Sequence, residues 1–364
     1  MANKVRLIFV VAACCVAFPA YARDTGKEAR MRETPFGVLE FLNWNSAWNS
    51  YKYADQKSLE KAAALMRQAG VQWVRMDFLW EDIEPRRGEF SFVKYDRIVA
   101  LLRSKNIKIL GLLDYCAPWA CGNAGWNRPP DDDESFVDYA RKVIRRYKGK
   151  VEYWEVWNEP DSPVYWEPQD GLKRYSVLLR KVYLEAKKVD RRCKILNGGL
   201  ANGLVSLNHL YDNGAGPYFD IVNLHYFENP LREGALGAVG SVPRLAYTIM
   251  ERNGDGGKRI WITEIGCPGI DKGAPETDDW WLGKNPREEE QAEWVKGVYE
   301  TLLQDEHVAR VFWAFFRDCK GHWNNGVDHF GLVRWDFSRK PAYWAYQDLT
   351  HGKKKPRRKI PGEI

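Results

Sequence analysis

The chain is expected to be an α/β protein that closes into a single (β/α)8 (TIM) barrel. Two observations predict this. Eight short apolar or β-branched runs alternate with amphipathic stretches, and no Ser/Gly linker or low-complexity block interrupts them before the C-terminal tail. A length of 364 residues suits one large barrel or two ordinary domains. Eight parallel strands joined by helices is the number that closes into a barrel.

In chain order, strands are expected over 36–42, 71–78, 107–114, 151–157, 194–200, 220–225, 259–264 and 310–316. Between the first two, residues 58–69 place Leu59, Ala62, Ala63, Leu65, Met66 and Ala69 on one helical stripe, with Gly70 as a natural stop. Residues 133–148 repeat the pattern with Phe136, Val137, Ala140, Val143, Ile144 and Tyr147. Acidic residues fill its first turn and Arg145, Arg146 and Lys148 its last, the order that suits a helix dipole. The fifth helix, near 204–212, has the weakest pattern. A doubly wound open sheet is the alternative arrangement of the same elements.

The division expected is a leader over 1–22, the barrel over 23–350 and a basic, disordered tail over 351–364. Lys4 and Arg6, an apolar run over 7–18 and Ala20-Tyr21-Ala22 read as an export signal. That run is too short to persist as a membrane span. Val11-Ala12-Ala13-Cys14 offers a lipoprotein processing box as the alternative, at the cost of an unusually short leader. The mature protein is expected to be a periplasmic or extracellular monomer without a membrane segment. Its formal charge of +6 falls to +4 without Lys4 and Arg6. It falls to about −2 without the six cations between Lys353 and Lys359. A slightly acidic body gives no electrostatic case for nucleic acid.

Two strand candidates end in glutamate. The fourth runs Trp154-Glu155-Val156-Trp157-Asn158-Glu159-Pro160 and the seventh Ile260-Trp261-Ile262-Thr263-Glu264-Ile265-Gly266. In such a barrel reactive groups sit where strands end, and these two ends face each other across the mouth. One glutamate alone is as readily a structural hydrogen bonder. The pair suits glycosidic cleavage, in which one carboxylic acid protonates the leaving oxygen and one carboxylate meets the developing cationic sugar. In retaining enzymes the two lie roughly 5–5.5 Å apart. The carboxyl more screened by apolar surface keeps its proton near neutral pH, which splits the roles.

Trp157-Asn158-Glu159-Pro160 and Thr263-Glu264-Ile265-Gly266 resemble the signature pair of the clan A retaining glycoside hydrolases. Gly111-Leu112-Leu113-Asp114-Tyr115, the 129–147 helix and Trp154-Glu155-Val156-Trp157 are most similar to glycoside hydrolase family 39 and its exopolysaccharide-cleaving relatives. The resemblance covers most of residues 36–350. It implies Glu159 as acid/base, Glu264 as nucleophile and Asn158 as hydrogen bonder to the sugar 2-hydroxyl. It also implies Arg75 as the arginine supporting the nucleophile and Trp313 as the floor of the reacting sugar, with a surface ion pair and core packing as the respective alternatives. Where the clan shows histidine-x-tyrosine, this chain reads His225-Tyr226-Phe227, which leaves open which side chain reaches the nucleophile.

Seventeen tryptophans suit sugar rings as well as a core. Those following strands are Trp44, Trp48, Trp119, Trp126, Trp166, Trp280, Trp281 and Trp323. Trp119, Trp166 and Trp281, or its neighbour Trp280, are expected as sugar platforms; others would be loop staples. Spread along a groove, such rings suggest a polymer substrate. The function expected is a retaining endo-β-glycosidase acting on a polysaccharide, with an exo-acting β-xylosidase-like enzyme or a non-catalytic carbohydrate-binding barrel as alternatives. The six histidines include no His-x-His or HExxH spacing, so neither metal nor cofactor is implied. Gly254-Asp255-Gly256-Gly257-Lys258 lacks the further features of a phosphate loop and reads as a turn. Of the five cysteines beyond the leader, Cys267 and Cys319 should emerge side by side and could pair. Cys116 and Cys121 could close a small, strained ring or stay unpaired, and Cys193 should be a free thiol.

Overall fold

The computed structural model describes residues 34–167, 169–274 and 279–352; the expected leader over 1–22 and the expected tail from 353 onward lie outside the described residues. His351, expected in that tail, instead ends the last helix, Pro341–His351. The strands are β1 (Phe36–Leu39), β2 (Trp73–Leu79), β3 (Lys108–Asp114), β4 (Tyr153–Val156), β5 (Lys194–Asn197), β6 (Ile221–His225), β7 (Arg259–Ile265) and β8 (Val308–Ala314). All pair in parallel with their neighbours, and β1 closes on β8 with Phe36 opposite Val311. The (β/α)8 barrel is therefore complete, and the open-sheet alternative is excluded.

The ring helices form where the periodicity placed them. Gln56–Gln68 starts at Asp55, whose carboxylate accepts the Ser58 amide at 2.8 Å, and Gly70 ends the turn at φ +78°. Asp133–Tyr147 is capped by Asp132. The weakly patterned fifth helix is present as Gly203–Asp212. Among the described residues, no helix is long and apolar enough to cross a membrane.

β1 and β5 each stop three residues short of their apolar runs, and after both a backbone amide turns to a side chain, as the Phe41 amide does to Glu40 Oε1 at 3.0 Å. After β5, the Gly198 amide donates to the Tyr175 hydroxyl and the Gly199 amide to Glu155 Oε1, so neither joins the ladder. After β1, the Glu40 carboxylate turns inward to Lys52 at 2.7 Å, and the chain folds back on itself. The lower barrel is plugged by Trp73, Leu110, Leu196, Ile221, Trp261 and Phe312. The Arg310 guanidinium stacks on Trp73 and Trp261 at 4.1 and 4.6 Å.

The expected disulfides are not made: all five described cysteines are buried free thiols. Cys319 Sγ instead accepts from Lys52 Nζ at 3.3 Å. Cys267 faces another environment, in which burial pushes its thiol up and Lys340 pulls it back. Cys121 Sγ reaches the carbonyls of Ala117 and Gly125, at 3.4 and 3.3 Å. Cys193 is free, as its place on the opposite barrel face predicts.

Candidate active site

The inward positions of neighbouring strands converge at the mouth. On β2, Arg75 stands two residues above Trp73 of the plug, so strand alternation points it into the barrel. There it is almost fully buried, and its fork makes four bonds. Nε and Nη2 donate to the two Glu155 oxygens of β4 at 2.6 and 2.9 Å. Nη2 also reaches Asn158 Oδ1 at 2.8 Å, and Nη1 donates to Glu264 Oε1 at 2.7 Å. A planar five-donor fork can serve three partners this way where a lysine could not. Of the two readings open for Arg75, the buried one holds, and the surface ion pair is excluded.

Past β4 the chain turns sharply. Trp157 and Glu159 both have positive φ, +66° and +42°, in a region that costs a non-glycine residue about 1–3 kcal/mol. The Trp157 indole bonded to Tyr165 O at 2.8 Å and the Arg75–Asn158 contact hold the turn. It delivers Glu159 to the mouth. Glu264 arrives by a different device. Leu224 pairs with Ile262 and His225 with Glu264, so Thr263 is an extra residue in the β7 ladder. Such a bulge re-aims side chains, and here it lets consecutive residues Thr263 and Glu264 both serve the site.

His225 lies between the glutamates, with Nδ1 2.8 Å from Glu159 Oε1 and 3.7 Å from Glu264 Oε1. Its Nε2 meets Thr263 Oγ1 at 3.0 Å. One oxygen of each glutamate and a ring nitrogen of His225 all lie within 4.8 Å of one another. These three groups could also offer ligands to a cation, but the Arg75 charge 2.7 Å from Glu264 opposes one there.

The two carboxyls have unequal surroundings. Burial, reinforced by Asp161, pushes Glu159 up to about 8. Asp161 is held by the amides of Ala201 and Asn202 at 3.0 and 2.7 Å. Burial raises Glu264 as well, but there Arg75 is in direct contact and favours the anion. Burial lowers the His225 pKa, so the ring is neutral near neutral pH. One protonated and one ionised carboxyl therefore face a single small space, an arrangement able to give a proton on one side and a nucleophile on the other.

The other expected residues divide. Trp281 is exposed beside Phe227 and Phe330, with ring centroids 5.3 and 5.8 Å away, and offers a face to a ligand. Trp280 behind it is buried. Trp119 is half-buried; its indole donates to Glu84 O at 2.8 Å and its ring sits edge-on to Trp80, so it staples a loop. Trp166 is buried at 1% exposure against Trp157, and no sugar can reach its face. Trp313 is also fully buried. It follows Phe312, whose ring fills the interior against Gly37, so alternation turns Trp313 outward, where its indole bonds Phe330 O at 2.9 Å. Core packing, not a sugar floor, is its place. Tyr226 turns its phenol toward Glu228 at 3.5 Å and contributes only its amide, which donates to Glu264 O at 3.1 Å. His225, not Tyr226, enters the site.

Several site residues went unassigned in the sequence. Glu155 is an inward position of β4, legible from the alternation that makes Trp154 and Val156 outward. Asp77 and Asp114 are the next inward positions above Arg75 and Leu112, and both are buried. Burial raises Asp77 to about 7, and burial with Asp77 nearby raises Asp114. Neither Asp114 oxygen has a protein partner. Phe41 stacked on Trp44 at 4.0 Å, and Phe315 stacked on Trp323 at 5.1 Å, form an aromatic wall above β1 and β8.

Residues 126–329 match the family model described as glycosyl hydrolase catalytic core, and residues 49–112 match one described as beta-galactosidase. A beta-1,4-xylanase of Dictyoglomus thermophilum is 28% identical over 126 residues, covering 32% of this chain and 34% of the xylanase. The match thus spans about a third of that relative's length. The fold is shared with a family 39 glycoside hydrolase of Bacteroides cellulosilyticus WH2 (TM-score 0.68, 23% identity, 88% of this chain, 64% of that one). A monomeric beta-xylosidase of Caulobacter crescentus CB15 shares it too (TM-score 0.65, 17% identity, 87% and 68%).

Proposed function

Because the chain belongs to the glycosyl hydrolase catalytic core family, we propose that it hydrolyses a β-glycosidic bond with retention, using Glu159 as acid/base and Glu264 as nucleophile. The observation that carries this reading is the approach of the two carboxylates within 4.8 Å across the mouth. Retaining enzymes hold theirs roughly 5–5.5 Å apart, whereas inversion needs room for a water between them. Glu264 Oε1 is aligned by Arg75. It attacks the anomeric carbon while the Glu159 proton passes to the departing oxygen. In the second step Glu159, now a carboxylate, takes a proton from water, whose oxygen displaces Glu264. The Arg75 bond to Asn158 Oδ1 leaves the Asn158 Nδ2 group to donate to the sugar 2-hydroxyl.

The pH dependence follows from these environments. Glu159, raised to about 8, keeps its proton below that pH and loses it above. Glu264 must be ionised, and its raised pKa puts the acid limb above the ordinary glutamate range. The kcat/KM profile on an activated aryl β-glycoside should therefore be a bell whose alkaline limb falls near pH 8. An alkaline limb below pH 6 would contradict the environment assigned to Glu159.

For substrate we propose a β-linked polysaccharide cleaved internally. Exposed Trp48, Trp126 and Trp281 follow β1, β3 and β7, on different sides of the mouth, and can stack several sugar rings. Trp281→Ala should raise KM for polymer about tenfold and leave a small aryl glycoside little affected. Equal effects on both substrates would remove Trp281 from a distal subsite. Product sizes separate endo from exo action: an early fall in viscosity supports the former, monosaccharide release the latter. An array of glycans probed with Glu159→Gln would identify the sugar. Export is proposed on the charged and apolar character of residues 1–22. Comparing turnover of aryl β-glycosides by wild type and Glu264→Gln tests the activity itself; equal turnover would overturn it.

A further inference from the structure

The Glu159 carboxyl meets His225 Nδ1 at 2.8 Å, and the orientation of that ring is held from its other side by Thr263 and, behind it, Asn223. Asn223 on β6 is fully buried, and its Nδ2 donates to Asn197 O at 3.1 Å. That contact fixes the amide, so Oδ1 is the end that faces Thr263, and the Thr263 hydroxyl donates to it at 2.6 Å. Asn197 is itself locked, its Oδ1 accepting the Asn223 amide at 2.9 Å and its Nδ2 donating to the carbonyls of Gly198 and Asn223. With its only proton committed, Thr263 Oγ1 can meet His225 Nε2 at 3.0 Å only as an acceptor. His225 Nε2 must then carry the ring proton. Because the ring is neutral, Nδ1 presents a lone pair to Glu159 Oε1 2.8 Å away. That contact requires a proton on Glu159.

We propose that Asn223 and Thr263 are positioning residues that lock His225 in its Nε2–H tautomer, so that Nδ1 holds the proton on Glu159 until the leaving oxygen takes it. The opposite tautomer would turn N–H toward Glu159, stabilise its carboxylate and set two lone pairs face to face at Thr263. His225 stays neutral throughout; the proton leaves Glu159 for the glycosidic oxygen and returns from water in the second step. Gly199 is part of the device, since a Cβ there would sit 1.9 Å from His225 Nε2. The bulge at Thr263 supplies the geometry, placing its hydroxyl against the ring while the next residue reaches Arg75.

The proposal rests on Glu159 being the acid, and its test separates the two ideas. The charged and titratable groups facing His225 and Glu159 are Glu264 from β7, Arg75 from β2, Glu155 from β4, and Asp161 and Tyr165 from the segment after β4. Thr263 substitution alters none of them. In Thr263→Val the ring is free to turn over its tautomer. The alkaline limb of kcat/KM should then move down by about one pH unit. At pH 8, substrates with poor leaving groups should lose about fivefold in kcat/KM while those with excellent leaving groups change little. Thr263→Ser keeps the hydroxyl and should retain the wild-type profile. An unmoved limb in Thr263→Val, or the same shift in Thr263→Ser, overturns the proposal. The wild-type protein gives an independent reading that no folding defect can confuse. Long-range proton–nitrogen NMR at neutral pH, assigned by loss of the signal in His225→Gln, should show His225 protonated on Nε2; protonation on Nδ1 overturns the lock. An Nε2–H ring alongside a Glu159→Ala variant with no leaving-group dependence would instead sink the acid role of Glu159 and leave the lock standing.

Discussion

Glu264→Ala should lose on the order of 10⁴-fold or more in kcat on every glycoside, whatever its leaving group, because no covalent intermediate can form. Glu159→Ala should behave differently. On substrates with poor leaving groups the loss should be about 10²–10⁴-fold, the usual worth of a general acid. On substrates whose leaving group needs no protonation, the first step should survive and the intermediate accumulate. Azide, which needs no general base, should then restore turnover and give a β-glycosyl azide. The asymmetry follows from geometry: Glu264 carries the Arg75 contact at 2.7 Å, whereas Glu159 meets a lone pair of His225. Equal losses in both variants, unrescued by azide, would contradict the division of roles.

The second large effect belongs to Arg75. Arg75→Met removes the partner of Glu155, a carboxylate with no solvent exposure, and strands its charge in the barrel. Breaking a buried pair from one side costs about 3–5 kcal/mol, which chemical denaturation should register. Activity should fall as well, since Glu264 loses the cation that favours its ionised form. The double variant Arg75→Met/Glu155→Gln removes the stranded charge and should recover much of the stability while remaining inactive. Activity returning along with stability would mean that Arg75 serves only as scaffold.

The barrel was legible because the strands are short apolar runs and the helices Gln56–Gln68 and Asp133–Tyr147 each repeat one stripe. The paired glutamates were legible because each sits at the end of a strand candidate among unusual neighbours, Trp157-Asn158-Glu159-Pro160 and Thr263-Glu264-Ile265-Gly266. What sequence could not carry depends on phase and on partners across the barrel. Trp313 reads equally well inward or outward; its phase is set by Phe312, which needs the space above Gly37. Trp166 and Trp281 are the same residue in similar loops, yet one is walled in by Trp157 and the other stands in solvent. The insertion of Thr263 into the β7 ladder appears in no period-2 pattern, since it is defined only against β6. For the same reason His225 could not be assigned to Glu159 rather than Glu264: a contact of 2.8 Å rather than 3.7 Å is decided by the bulge. Cys267 and Cys319 lie above adjacent strands as expected, but Lys52 draws Cys319 into a different cluster.

In the proposed double displacement Glu264 attacks the anomeric carbon, and Glu159, with a carboxyl oxygen within 4.8 Å of it, serves first as acid and then as base. Proton NMR of the sugar first released from the best-cleaved aryl β-glycoside, recorded before mutarotation, tests it most directly. The β-anomer is the expected first product, because two displacements restore the starting configuration. Release of the α-anomer would show a single displacement and contradict the assignment of Glu264 as nucleophile.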